Sequence, residues 1–220
     1  KKGGLAIWKM PSFVFAPENV DMLIGKIKDS SALILDLRGN GGGYVKTLER
    51  LAGYMFDKDL KIAELKGRKK MDPQESKTKG NDSFKGKLIV LIDGNSGSAA
   101  EIFARLVQLE KRGQILGDVS AGAVMQSESF SGSTSNDAVF YGASITNADV
   151  IMSDGKSLEH VGVTPDEIIL PTGKDLAERR DPVLARAAEL LGFELSPSEA
   201  GSFFEYKWRN DKVILDLSSK

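Results

Sequence analysis

Cysteine is absent from the 220 residues. Thiol nucleophiles, thiolate zinc sites and disulfides are excluded together, although many secreted proteins also lack cysteine and the compartment stays open. No apolar run approaches the roughly 20 residues that a membrane span needs. Charge of one sign is also missing, since 30 Lys and Arg face 31 Asp and Glu, interspersed, for a net charge of −1. A broad basic field for nucleic acid and a polybasic membrane patch are therefore absent. The chain opens Lys-Lys-Gly-Gly and runs straight into a strand-like stretch without a signal peptide, as either a mature form or an excised piece would. Its length suits one large domain, or a domain with a modest appendage, and a core sizeable enough to need no disulfide or metal.

What is present is an alternation of strand-like and helix-like segments. LAIWKM, starting at Leu5, reads as a strand closed by Pro11 and Ser12. Val20, Leu23, Ile24 and Ile27 recur at helical spacing behind Pro17. ALILDL (32–37) and KLIVLID (87–93) are nearly all apolar, the mark of strands buried on both faces. Helical patterns cover 45–55, 99–111 and 175–191, and further strands are expected at 60–66, around Ile115 and Leu116, and over 124–130 and 138–152. Residues 67–86, rich in Lys, Asp, Ser and Gly, read as an exposed hairpin or mobile loop. Residues 1–195 are expected to form the core. Residues 196–220, with Phe203, Phe204, Tyr206 and Trp208, are expected to form an extension docking on the core or on a partner. The class is α/β, with a mostly parallel sheet and packed helices, and ligands in such folds bind at the carboxyl ends of strands.

Two strand ends carry unusual loops. KLIVLID runs into GNSGSAAE, a turn of small residues that opens a helix. Small residues permit unusual backbone angles. Ser98 falls at the helix N-terminus, where free N–H groups and the macrodipole favour negative charge. Such a serine is more often a plain N-cap. The other loop shifts that balance. ALILDL runs into RGNGGG, and Gly41, Gly42 and Gly43 leave a strip of unobstructed N–H groups suited to an oxyanion hole or an anion nest. The strip lacks the Lys-Ser/Thr of a Walker loop and the GxGxxG spacing. A serine and a glycine strip at neighbouring strand ends give acyl transfer its nucleophile and its N–H donors. Asp36 and Arg38 flank the glycine loop and are expected to brace it.

At these residues the sequence resembles the S41 peptidases, the family of the C-terminal processing (tail-specific) and tricorn core proteases. LILDLRGNGGG is similar to the family's strand-and-glycine motif, and IDGNSGSAAEIFA to its nucleophile motif. GDVSAGAVMQ, DGKSLEHVGVTPDEII and DPVLARAAELL resemble its later segments. The resemblance implies a ClpP/crotonase-like core without metal or cofactor. It further implies Ser98 as nucleophile, backbone N–H groups of Gly42 or Gly43 and of Ala99 as the oxyanion hole, and Glu101 as a supporting residue. Peptides or protein C-terminal tails are the implied substrates, a bacterial envelope or secreted location is implied, and oligomers are compatible with it.

One departure stands out. The processing proteases of the family use a lysine base, and the matching position here is Ala123. Tricorn-like members use a histidine from a cap that precedes the core. The only histidine here is His160, in a segment that the resemblance makes a structural turn, so it is not expected to act as base. The base is expected from outside these residues, and the chain alone is expected to be inactive or nearly so. A module that keeps the fold and binds peptide without cleaving it is the main alternative. A crotonase-type acyl-CoA enzyme shares the fold class but gives no reason for a serine at this turn.

Overall fold

The computed structural model describes residues 3–134 and 139–204. Strands β1 (Leu5–Lys9), β2 (Ala32–Asp36), β5 (Lys87–Ile92), β6 (Gln114–Gly117) and β9 (Glu167–Ile168) form one five-stranded sheet in the order β1-β2-β5-β6-β9. Every pairing in it is parallel. Helices α1 (Glu18–Ile27), α2 (Val45–Met55) and α3 (Ala99–Leu109) cover one face. Helices α5 (Pro182–Leu190) and α6 (Pro197–Ser202) cover the other. Successive side chains of a strand point to opposite faces. Accordingly Leu33, Leu35, Leu88, Val90 and Ile92 enter the first core, while Ala32, Ile34, Ile89 and Leu91 enter the second. That double burial explains why both strands are continuous apolar runs, and the expected α/β class with its parallel sheet and packed helices is found.

The sequence did not announce a second sheet. Strands β3 (Leu60–Gly67), β4 (Gln74–Ser76), β7 (Gln126–Ser133) and β8 (Phe140–Met152) make an antiparallel sheet ordered β4-β3-β8-β7. It joins the first core through Leu60, Ile62, Ala63, Val150 and Met152. The strand β4 corrects the reading of 67–86 as exposed. Gln74, Ser76, Ser83 and Phe84 are all buried. Ser76 Oγ donates to the Glu49 carbonyl (2.8 Å) and Gln74 Nε2 to Gln126 Oε1 (3.0 Å), which offsets much of the cost of burying these polar side chains, although Gln74 Oε1 has no partner among the described residues.

The helix expected over 175–191 is in fact two, α4 (Gly173–Ala177) and α5. Arg179 adopts a positive φ of 54° between them. Asp181 then caps α5, its Oδ1 accepting the Leu184 N–H at 2.9 Å, and Pro182 takes the first helical position. Helix α6 packs on α5 with Ala200 buried; Tyr206 and Trp208 lie outside the described residues. No helix among the described residues is long and apolar enough to cross a membrane.

Candidate active site

The carboxyl ends of β2 and β5, neighbours in the sheet, deliver the two loops to one place. Three contacts lock them together. Gly97 N–H donates to the Asn40 carbonyl (2.9 Å), Gly39 N–H to Asp93 Oδ1 (2.9 Å), and Ser96 Oγ to the Leu37 carbonyl (2.9 Å). Asn40 is fully buried, and its Nδ2 reaches the Met10 carbonyl at 2.8 Å. Below the glycine loop, Arg38 bonds Asp36 through Nε (2.9 Å) and Nη2 (2.8 Å), and Asp181 through Nη1 (3.0 Å) and Nη2 (2.7 Å). Burial works to push the Asp36 carboxyl up, but its bonds to Arg38 outweigh this and hold it below the ordinary carboxylate value. The expected brace is therefore present, and it ties the loop to the cap of α5.

Ser98 occupies the N-cap of α3 with φ 51° and ψ −117°. An ordinary N-cap sits in the extended region with negative φ. The conformation at Ser98 is one that a side chain strongly disfavours, and such strain gathers at functional sites. The surroundings enforce it. Ser98 N–H is shared between the Ala123 carbonyl (3.0 Å) and Glu101 Oε2 (2.9 Å). Its hydroxyl stands at the positive end of the helix dipole.

Glu101 is fully buried and clamps two loops. Oε2 accepts the N–H groups of Ser98 and Ala123 (3.0 Å). Oε1 accepts Ser120 Oγ (2.6 Å) and Gly122 N–H (2.7 Å). Ser120 Oγ in turn accepts the Val163 N–H at 2.6 Å. With both oxygens saturated, this carboxylate holds geometry and has no acceptor site left for a reacting proton.

The glycine strip lies against the Ser98 turn. A Cβ on Gly42 would stand 2.6 Å from Ser98 Cβ and 2.9 Å from the Ala99 nitrogen, so only glycine permits that approach. One expectation is corrected here. Gly42 N–H is taken by Asn40 Oδ1 at 2.8 Å, so it does not serve as a free donor. Gly43 and Ala99 N–H make no hydrogen bond among the described residues.

Ala123 lies beside Ser98, as the bond from the Ser98 N–H to its carbonyl shows, but has no polar side-chain atom to offer. His160 sits in a turn with φ 59°. Its N–H donates to the Gly122 carbonyl (2.8 Å), while its side chain is 90% exposed and makes no hydrogen bond to Ser98. Among the described residues no titratable side chain bonds to the Ser98 hydroxyl, and no group of acidic, His or Cys residues is arranged to hold a metal. Sequence reading passed over Glu159. Its Oε2 accepts the Val124 N–H at 2.6 Å, one residue beyond Ala123, and its Oε1, with His160 Nε2 at 3.8 Å, makes no hydrogen bond among the described residues. A lone Glu before a His in a polar segment carries no pattern that would have marked it.

Comparison with known proteins identifies the family. The family model for peptidase family S41 matches residues 4–169, more than half of the chain. The tail-specific protease of Haemophilus influenzae is 35% identical over 130 residues, covering 57% of this chain and 19% of that protein. The carboxy-terminal-processing protease of Bartonella bacilliformis is 30% identical over 141 residues, covering 62% of this chain and 30% of that protein. The chain thus spans well under half the length of these curated relatives. Among solved structures, the photosystem II D1 C-terminal processing protease superposes with a TM-score of 0.60 at 21% identity, covering 77% of this chain and 44% of that one. The tricorn protease does so with 0.63 at 20% identity, covering 86% and 18%. The α/β core with its parallel sheet is shared with these proteases, and the chain belongs to peptidase family S41.

Proposed function

We propose that this chain is the catalytic core of a serine peptidase in which Ser98 attacks the carbonyl of an extended peptide. The observation that carries the reading is the backbone of Ser98, held at φ 51° by the buried Glu101 clamp at the head of α3. A cap has no use for that strain, whereas a nucleophile must stand clear of its own helix. The hydroxyl oxygen adds to the carbonyl carbon, the hydroxyl proton passes to a base, and the negative charge collects on the former carbonyl oxygen. Gly43 and Ala99 N–H are the donors left open to receive it. The base returns the proton to the leaving amine, and water then hydrolyses the acyl-enzyme. A histidine from outside these residues supplies the base, since Ala123 cannot accept a proton and His160 projects into solvent. Glu159 Oε1, the carboxylate oxygen beside the Ala123 segment that is still open, is placed to orient such an imidazole. Substrates are peptides or protein C-terminal tails, and the location is the bacterial envelope or its exterior, both by likeness to the processing proteases.

The test is made on the full-length protein. Wild type is expected to cleave peptide and to be labelled at Ser98 by a fluorophosphonate, and Ser98→Ala to lose both. A full-length protein whose Ser98 never labels would instead be a peptide-binding module.

A further inference from the structure

Taking Ser98 as the nucleophile, as proposed above, we infer that Ser12 is a positioning residue of the oxyanion hole, acting through the Gly42 carbonyl to aim the Gly43 N–H. Sequence reading gave Ser12 only the task of ending β1. The structure places the segment after β1 directly against the glycine strip. Phe13 and Gly43 form an isolated parallel bridge. Phe13 N–H donates to the Gly42 carbonyl at 2.8 Å, and the Phe13 carbonyl accepts the Tyr44 N–H at 3.3 Å. In such a bridge the straddled residue turns its own N–H and C=O away from the partner strand.

Peptide planarity gives the same direction independently. No peptide bond among the described residues is cis. The N–H of Gly43 therefore points opposite to the carbonyl of Gly42 in one plane. That carbonyl faces the 12–14 segment. On the same side Gly43 is pressed so close that an added Cβ would meet Phe13 C and Val14 N at 2.6 Å. The Ser98 turn lies against Gly42, where a Cβ would meet Ser98 Cβ at 2.6 Å and the Ala99 nitrogen at 2.9 Å. Whatever fixes the Gly42 carbonyl thus fixes the donor that faces the reaction.

One donor on a carbonyl leaves the peptide plane free to rock about that bond; a second on the other lone pair restrains it. Ser12 Oγ is the second, at 3.3 Å from the Gly42 oxygen. The hydroxyl is itself oriented. It accepts the Val14 N–H at 2.9 Å, which leaves its single proton to point at Gly42. Phe13, fully buried, anchors the segment that carries it.

The experiment compares Ser12→Ala, Ser12→Thr and Ser12→Val with wild type in the full-length protein. Fluorophosphonate labelling of Ser98 and cleavage of fluorescein-casein are measured together. Loss of one oriented hydrogen bond is expected to slow labelling and kcat by roughly three- to tenfold, with KM and thermal midpoint unchanged. Thr restores the rate. Val, which matches Thr in shape without the hydroxyl, does not, and this pair carries the comparison should Ser12→Ala fold poorly. Wild-type rates in Ser12→Ala, a rise in KM that accounts for the loss, or a Thr variant no better than Val overturns the role of Ser12 alone. A wild type whose labelling and cleavage do not depend on Ser98 overturns the nucleophile reading, and the role of Ser12 with it.

Discussion

Replacing Ser98 by glycine should make the protein more stable while removing its nucleophile. The reasoning starts from φ 51° and ψ −117°, a conformation that costs a residue with a side chain about 1–3 kcal/mol. Glycine escapes that cost because it has no Cβ. Against the gain stands the larger freedom of glycine in the unfolded chain, about 0.5–1 kcal/mol. The capping-box bond to Glu101 Oε2 comes from the backbone N–H of residue 98, at 2.9 Å, and is kept by glycine. The net expectation is that Ser98→Gly is more stable than wild type by about 1 kcal/mol, which for a chain of this size raises the midpoint by roughly 2–4 °C. Ser98→Ala keeps the Cβ and the strain and should match wild type. An ordinary N-cap predicts a different order, with glycine a few tenths of a kcal/mol below serine and alanine about 1 kcal/mol below it. Urea unfolding followed by far-UV circular dichroism separates the two. The order Gly above Ser and Ala supports a strained nucleophile; the order Ser above Gly above Ala would refute it.

Two more perturbations probe the supports of the site. In wild type the Asp36 carboxyl lies below its ordinary value, so its contribution is full above about pH 4 and is lost as pH falls through the folded value. Arg38→Met removes the guanidinium and leaves a fully buried carboxylate with Lys9 Nζ at 3.2 Å and the backbone N–H of residue 38 at 3.0 Å, and should cost about 3–5 kcal/mol at pH 7. Burial then pushes Asp36 up, so the variant binds a proton on folding and gains stability relative to wild type from pH 7 to pH 5, where the wild-type Asp36 contribution is constant. Thermal midpoints at the two values check this, and a difference between variant and wild type that does not narrow contradicts it. Glu101→Gln places an amide against two of the four donors that the carboxylate now accepts. A loss of roughly 2–4 kcal/mol is expected from the unpaired donors, together with loss of fluorophosphonate labelling. Retained labelling at wild-type rate would show that the clamp does not hold Ser98.

The strands β2 and β5 were legible because double burial writes itself as an unbroken apolar run, and the helices α1 to α3 because one face of each packs on those strands. The strand β9 was not, since two residues paired only through Leu116 and Gly117 leave no period to read. The hairpin strand β4 hid for another reason. Its buried positions are Gln74 and Ser76, and hydrogen bonding can bury a polar side chain without altering composition. The break between α4 and α5 was signalled by Asp181-Pro182, a cap and a first-turn proline, but the Leu and Ala on either side carry an unbroken helical pattern across it.

The site divides in the same way. Gly42, Gly43 and Ser98 stand out because their chemistry is visible in residue type. Asn40, Ser12 and Glu159 do not, because each acts on a backbone group supplied by a distant part of the chain. Glu101 was named by resemblance, yet three of its four bonds depend on where 120–123 passes. Ala123 shows what this means for the base. The site uses its carbonyl to hold Ser98 N–H and its N–H to bond Glu101, and neither bond depends on the side chain. An alanine therefore leaves the nucleophile turn fully supported while removing the proton acceptor. Support and proton transfer are separable at this position, so the strain at Ser98 is compatible with the proposed base from outside these residues.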